Sequence, residues 1–296
     1  MTEKIYYHND TDGVLSAAAY ILLKNVGDYV LKPMETSKRS SFQKEIYANG
    51  SVYKTVSLDF AYVDGLSYWC DHHRINGDIK ISDEAEVLYD PDAKSAAGLL
   101  LKQLADKTIL PWRKNRYLKL IGGIDMVDSA SYPSKEFYVS DKSPIMALYR
   151  LISFSNQPTD SIVRSLVHSK LNIKDAIHVY SKPDHLSLLT LDYNFELDGD
   201  VSIYIEQIEH TAPPRYTEYF QTEANASIRI IIDSNYHYRV YVSKNPWSDA
   251  RKDIDFSNLK LNSAIRWGGH KDIAGGLILE KDKFNIINEI LEVLNV

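Results

Sequence analysis

Short apolar runs alternate with helical patterns through the first 125 residues, and several of these runs stop at an aspartate or a histidine. Residues 4–8 read as a buried strand and 9–13 as a sharp polar turn. Residues 14–24 read as a helix with Val14, Ala17, Ala18, Ile21 and Leu22 on one face. Further strand-like runs cover 29–34, 52–58, 66–70 and 85–89, with helical patterns at 95–105 and 112–121. Strands alternating with helices predict an α/β fold, because parallel neighbours need crossovers that cover the sheet. The expected N-terminal domain, 1–142, is therefore a mainly parallel sheet with helices on both faces. A helical connector is expected over 143–184, where strand signals are lacking. A smaller α/β domain is expected over 185–296, with strands at 187–191, 201–205, 226–233 and 236–243 and a helix at 284–294.

The ends of the apolar runs carry the chemistry. His8, Asp10 and Asp12 are spaced two apart, so an extended backbone points all three to one side. Gly13 then permits a tight turn. Taken alone, this pattern is equally an N-cap at Asp12 with a turn residue at Asp10. Three further segments change that reading: Asp59 follows 52–58, Asp71-His72-His73 follows 68–70, and Asp125 follows the apolar run 120–124. In a parallel sheet the carboxyl ends of strands share one edge, where such folds place their sites. Asp10, Asp12, Asp59 and Asp125 would bring four negative charges into one crevice, where they would repel and take up protons unless cations joined them. Two divalent ions neutralise that charge, with one carboxylate bridging a pair about 3.5–4 Å apart. Carboxylate and imidazole ligands without thiolate favour Mn²⁺, with Mg²⁺ or Co²⁺ as alternatives. The single cysteine, Cys70, reads as a small buried residue.

With these motifs in order, the chain resembles the DHH phosphoesterases, named for the triplet Asp71-His72-His73. His8-Asn9-Asp10-Thr11-Asp12-Gly13 resembles the family's first motif, Asp59 its second, and Asp125 its fourth. Ser95-Ala96-Ala97 resembles a helix start that follows the triplet, and Gly268-Gly269-His270 with Ala274-Gly275 resembles the glycine–histidine motif of the DHH-associated C-terminal domain. The resemblance implies that His8, Asp10 and Asp59 hold one ion, and that Asp12, Asp59, His72 and Asp125 hold the other. Asp59 would then be the bridge, opposite a hydroxide that attacks phosphorus. His73 is expected to face the substrate phosphate, and Asp71 to orient a neighbouring histidine. Gly268, Gly269, His270, Ser243 and Lys244 are expected to hold substrate in the second domain.

Two departures stand out. Trp267 replaces a further glycine, and Met126-Val127-Asp128 replaces a Thr-Gly found in many members that cut very short RNA. Asp128 thereby rivals Asp125 as a ligand, with local capping as its expected role. Tyr236, Tyr238, Arg239 and Tyr241 read either as base-stacking or as packing residues.

The implied function is Mn²⁺-dependent hydrolysis of phosphoester bonds in short single-stranded oligonucleotides or small nucleotides, as a phosphodiesterase or exonuclease. A pyrophosphatase or exopolyphosphatase is the alternative, followed by an inactive DHH scaffold. A net charge of −6 offers no overall footprint for long duplex nucleic acid. No apolar stretch is long enough to span a membrane, so a cytoplasmic location is expected. The oligomeric state is left open, a homodimer included.

Overall fold

The computed structural model describes residues 1–35, 39–49, 52–74, 80–140, 142–155, 157–180, 195–205, 216–232, 238–269 and 271–295. The chain divides into two compact units, Met1–Ser131 with Asp141–Pro183, and Tyr132–Ser140 with Asp184–Val296. The helical segment expected as a connector thus belongs to the first unit up to Pro183, while the short stretch before it joins the second.

The first unit is built on five parallel strands, β1 (Glu3–His8), β2 (Tyr29–Met34), β3 (Lys54–Leu58), β4 (Tyr68–Asp71) and β5 (Glu86–Tyr89), in the order β2-β1-β3-β4-β5. Helices α1 (Thr11–Lys24), α2 (Arg39–Asn49), α3 (Ala96–Lys107) and α4 (Pro111–Asp128) accompany them, and α6 (Pro144–Phe154), α7 (Thr159–His168) and α8 (Ile173–Ile177) complete the unit. Period-two alternation along β1 sends side chains to both faces, and both are covered. Tyr6 packs edge-on against Phe42 of α2, with ring centroids 5.0 Å apart, whereas the Tyr7 hydroxyl lies 3.1 Å from Thr159 Oγ1 at the start of α7. Helix α1 departs from the amphipathic pattern expected of it: its residues are buried all round, Leu22 and Lys24 being only partly so. Its run of Ala17, Ala18 and Ala19 suits a central helix that packs against α3, α7 and the sheet.

The second unit holds α5 (Lys135–Ser140), α9 (Thr217–Gln221), α10 (Lys283–Leu294) and six strands: β6 (Glu196–Asp198), β7 (Val201–Ile205), β8 (Ala226–Ile232), β9 (Tyr238–Lys244), β10 (Ala264–Gly269) and β11 (Ile273–Ile278). Their order is β10-β11-β9-β8-β7-β6, antiparallel apart from β7 with β8. Ile286, Ile287, Ile290, Leu291 and Leu294, at helical spacing on α10, join Ile228, Ile230, Val240 and Val242 of the sheet in one core. The strand expected at 187–191 lies outside the described residues. Among those described, no helix is long and apolar enough to cross a membrane.

Candidate metal centre

The strand order of the first unit reverses between β1 and β3. At such a switch point, crossovers leave in opposite directions and a crevice opens beyond the carboxyl ends of the strands. The register pairs Tyr7 with Leu58 and Leu58 with Cys70, so His8, Asp59 and Asp71 emerge at neighbouring positions on that one edge.

Each segment has a local reason for its shape. Asp10 is the N-cap of α1, its carboxylate accepting a 2.9 Å hydrogen bond from the Gly13 N–H. The sequence pattern assigns that role to Asp12; the structure gives it to Asp10 because the helix begins at Thr11, three residues earlier than its apolar periodicity suggests. Asp12 is therefore inside the first turn, 1% exposed, and its two oxygens accept from Ala96 N and Ala97 N at 2.7 Å each. Gly13 is required by space: a Cβ there would sit 2.0 Å from the carbonyl oxygen of His8. Asn9 locks the turn, donating to Glu35 at 2.7 Å and accepting from Thr159 Oγ1 at 2.6 Å. Asp59 ends β3 at φ 52°, a left-handed conformation that Asp and Asn tolerate better than most residues.

The triplet divides its roles. Asp71 Oδ1 accepts from the backbone N–H groups of His72 and His73 and from His73 Nδ1, the last at 2.8 Å. His72 Nδ1 lies 3.3 Å from the Ala93 carbonyl oxygen, which fixes the tautomer with hydrogen on Nδ1 and turns the Nε2 lone pair inward. That Nε2 is 3.5 Å from Asp59, 3.6 Å from Asp12 and 3.3 Å from Asp128. His8 Nδ1 is 2.8 Å from Asp10 and 3.7 Å from Asp59.

Among the described residues, three sets of side chains place one donor atom each within 4.8 Å of one another: His8, Asp10 and Asp59; Asp12, His72 and Asp128; Asp59, His72 and His73. Asp125 is not among them. It was expected after a strand, but 111–128 is one continuous helix, and Asp125 Oδ1 accepts from Ser95 Oγ at 2.5 Å. Asp128, one helical turn later, joins His72 and Asp12 instead. The signal for this was present as an i, i+3 pair of aspartates, hidden by the strand-like apolar run before it.

Electrostatics shows what the cluster lacks. Among the described residues, both Asp59 oxygens and Asp128 Oδ2 are buried and accept no hydrogen bond. Burial first, then the carboxylates of Asp12 and Asp10, holds Asp59 well above the ordinary carboxylate range. Burial first, then Asp12 and Asp59, does the same to Asp128. Asp12 is raised mainly by burial. Burial alone would lower His8, but Asp10 and Asp59 outweigh it and raise the imidazole well above its usual range. His8 in turn outweighs the burial of Asp10 and lowers that carboxyl. A buried group of carboxylates, most of them held above their ordinary range, with oxygens left unbonded among the described residues, fits divalent cations of oxygen and nitrogen preference. Cys70 stays out of the set: its thiol is pushed well above its usual value, chiefly by burial, and its Sγ lies 3.7 Å from Ala96 O.

No protein-family model matches the chain, and no curated protein matches it. The solved structure of the pGpG-specific phosphodiesterase PggH from Vibrio cholerae is similar over 99% of both chains, with a TM-score of 0.60 at 15% identity. RecJ in complex with Mn²⁺ from Thermus thermophilus is similar over 99% of this chain and 52% of that one, with a TM-score of 0.50 at 11% identity.

The chain has the DHH phosphoesterase fold. Within it, the residues expected to hold substrate lie in the second unit. Gly268 and Gly269 end β10, paired with Gly275 and Ala274 in an antiparallel ladder, so they belong to a strand and not to an open loop. His270 lies outside the described residues. Ser243 is buried in a network: its Oγ is 2.9 Å from Tyr219 Oη and 3.1 Å from Ser227 Oγ, and Ser227 donates to Glu218 at 2.8 Å. Lys244 pairs with Asp272 at 2.9 Å. Tyr238 packs against the sheet–helix core, and Tyr241 lies over Gly275. Tyr236 lies outside the described residues.

Proposed function

We propose that this DHH-fold protein is a metal-dependent phosphodiesterase acting on short oligonucleotides or small nucleotides. One observation carries the reading: carboxylates and imidazoles from four segments converge at the β1–β3 switch point, and both oxygens of the shared Asp59 are buried without a hydrogen bond among the described residues. His8, Asp10 and Asp59 would hold one cation and Asp12, Asp59, His72 and Asp128 a second, with Mn²⁺ favoured over Mg²⁺ or Co²⁺ by the mixed donor set. When bound, such a pair lowers the pKa of a water and neutralises charge on the phosphoryl group.

The remaining work falls to the chain. Burial would lower His73, but Asp71 at 2.8 Å and Asp59 outweigh it and raise the imidazole. With Nδ1 turned to Asp71, a proton at Nε2 can be donated to a substrate oxygen, and 40% exposure of the side chain leaves room for one to approach. Asp71 acts by holding that orientation. Phosphate recognition by Gly268, Gly269, His270 and Lys244 is proposed from the resemblance of their motif.

The likeness over nearly the whole chain to a protein named for pGpG supports a dinucleotide among the first substrates to test. The experiment is a panel of linear dinucleotides, short RNA, short DNA, cyclic dinucleotides, pyrophosphate and polyphosphate, each with Mn²⁺ and with chelator. Cleavage of short nucleotides only with metal is expected. Cleavage of polyphosphate or pyrophosphate alone would replace the substrate class, and metal uptake without turnover of any member would favour the scaffold reading.

A further inference from the structure

The two carboxylates that the sequence expects to act alike, Asp12 and Asp125, meet at one helix end. Asp125 Oδ1 accepts from Ser95 Oγ at 2.5 Å. Ser95 is the N-cap of α3, and its Oγ also accepts from Gly98 N at 3.1 Å. The next two residues, Ala96 and Ala97, direct their N–H groups at Asp12, one to each oxygen. Ser95, Ala96 and Ala97 are all essentially buried. Gly98 completes the arrangement, because a Cβ there would sit 2.7 Å from Ser95 Oγ and 2.9 Å from Asp125 Oδ1.

We propose that Asp125 and Ser95 are positioning residues: Asp125 fixes the Ser95 cap, the cap fixes the first turn of α3, and that turn holds the Asp12 carboxylate in its ligating orientation. The inference rests on the reading of Asp12 as a metal ligand. Its physical basis is that a carboxylate with one backbone donor on each oxygen keeps its remaining lone pairs in fixed directions. Without the first turn, a buried Asp12 would lose the two backbone donors that hold it in one rotamer. Ser95 Oγ has one hydrogen. Giving it to Asp125 leaves its lone pairs for Gly98 N, so Asp125 also selects the state in which the hydroxyl caps the helix.

The test is Mn²⁺ binding to the intact chain, measured by calorimetry and by the electron paramagnetic resonance signal of free Mn²⁺, independently of turnover. Asp125→Ala and Ser95→Ala are each expected to bind about ten- to a hundredfold more weakly. Asp125→Asn keeps an acceptor oxygen at Oδ1 and should bind within about threefold of the parent protein, rescuing the alanine variant. Because the two residues act in series, the Ser95→Ala/Asp125→Ala double variant should be no worse than the weaker single one. Asp125→Asn as poor as Asp125→Ala would mean that the Asp125 charge acts on the ion directly, which overturns the proposal. Multiplying losses in the double variant would overturn it too, as would full affinity in both single variants. Failure of the parent protein to take up Mn²⁺ would instead sink the metal reading on which this rests.

Discussion

The switch-point edge of the first unit and the buried polar network of the second are both rich in polar side chains, yet they are finished differently. In the second unit, Ser243, Tyr219, Ser227 and Glu218 are joined by hydrogen bonds of 2.8–3.1 Å, and Arg229 pairs with Glu218. In the first, Asp59 is 2% exposed and, among the described residues, neither oxygen accepts a hydrogen bond; imidazoles lie 3.5–3.7 Å away. A closed network contributes to folding by itself. An open one of like charges is an expense to the fold that protons or an added cation relieve, which is what the proposed metal centre would use.

The largest test of this contrast is removal of metal. Chelation should lower phosphodiester hydrolysis at least about a thousandfold, and Mn²⁺ should restore it. Metal at a hundred times its Kd should also stabilise the protein by about 2.7 kcal/mol against thermal unfolding. Asp59→Asn should lose that gain while folding normally, since Asn tolerates φ 52°. Unimpaired hydrolysis in a protein shown by elemental analysis to be metal-free would break the comparison at its root.

A smaller effect distinguishes the two aspartates of α4. Asp128→Asn should weaken Mn²⁺ binding about ten- to a hundredfold, because Asp128 Oδ2 faces His72 Nε2 at 3.3 Å. Equal and slight effects of Asp128→Asn and Asp125→Asn would remove Asp128 from the ligand set.

Acidity offers a third measurement. Asp12, Asp59, Asp128, His8 and His72 all have raised values in the folded protein. The stability they contribute to the metal-free protein is present at low pH and lost as pH rises through their folded values; Asp10, lowered, contributes in the opposite sense. Mn²⁺ must displace those protons, so its affinity should rise with pH as they are released. Calorimetry in buffers of different ionisation enthalpy should register proton release; a flat profile would contradict the crowding of carboxylates.

The smallest effect lies in the closed network. Ser243→Ala should cost about 1–2 kcal/mol in urea unfolding and leave Mn²⁺ affinity unchanged. An unchanged midpoint together with a raised KM would return Ser243 to the phosphate contact expected from its sequence position.

Much of the first unit was legible because period-two apolar runs and turn residues act locally: β1, β2, β3, β4 and β5 overlap the runs read as strands, their ends matching or differing by one or two residues. The ligand segments were legible for the same reason, as polar residues stopping apolar strands. Asp125 was misplaced because Leu120, Ile121 and Ile124 look alike in a buried strand and on a helix, and periodicity over so few residues does not distinguish them. Ser243 and Lys244 were read from motif position, which carries no information about which neighbours already bond their side chains.

The sequence by itself determined the α/β class, the edge to which His8, Asp10, Asp12, Asp59 and the Asp71-His72-His73 triplet are delivered, and the glycine that lets α1 start against His8. These follow from local geometry: strand period, turn chemistry and the space available to a Cβ. Tertiary structure alone decided that Asp12 is held by the start of α3, that Asp128 and not Asp125 reaches His72, and that Ser243 is closed in. Each depends on atoms far apart in the chain coming close together, and three residues along α4, about 4.5 Å of rise, separate the carboxylate that lies 3.3 Å from His72 Nε2 from the one that accepts from Ser95 Oγ.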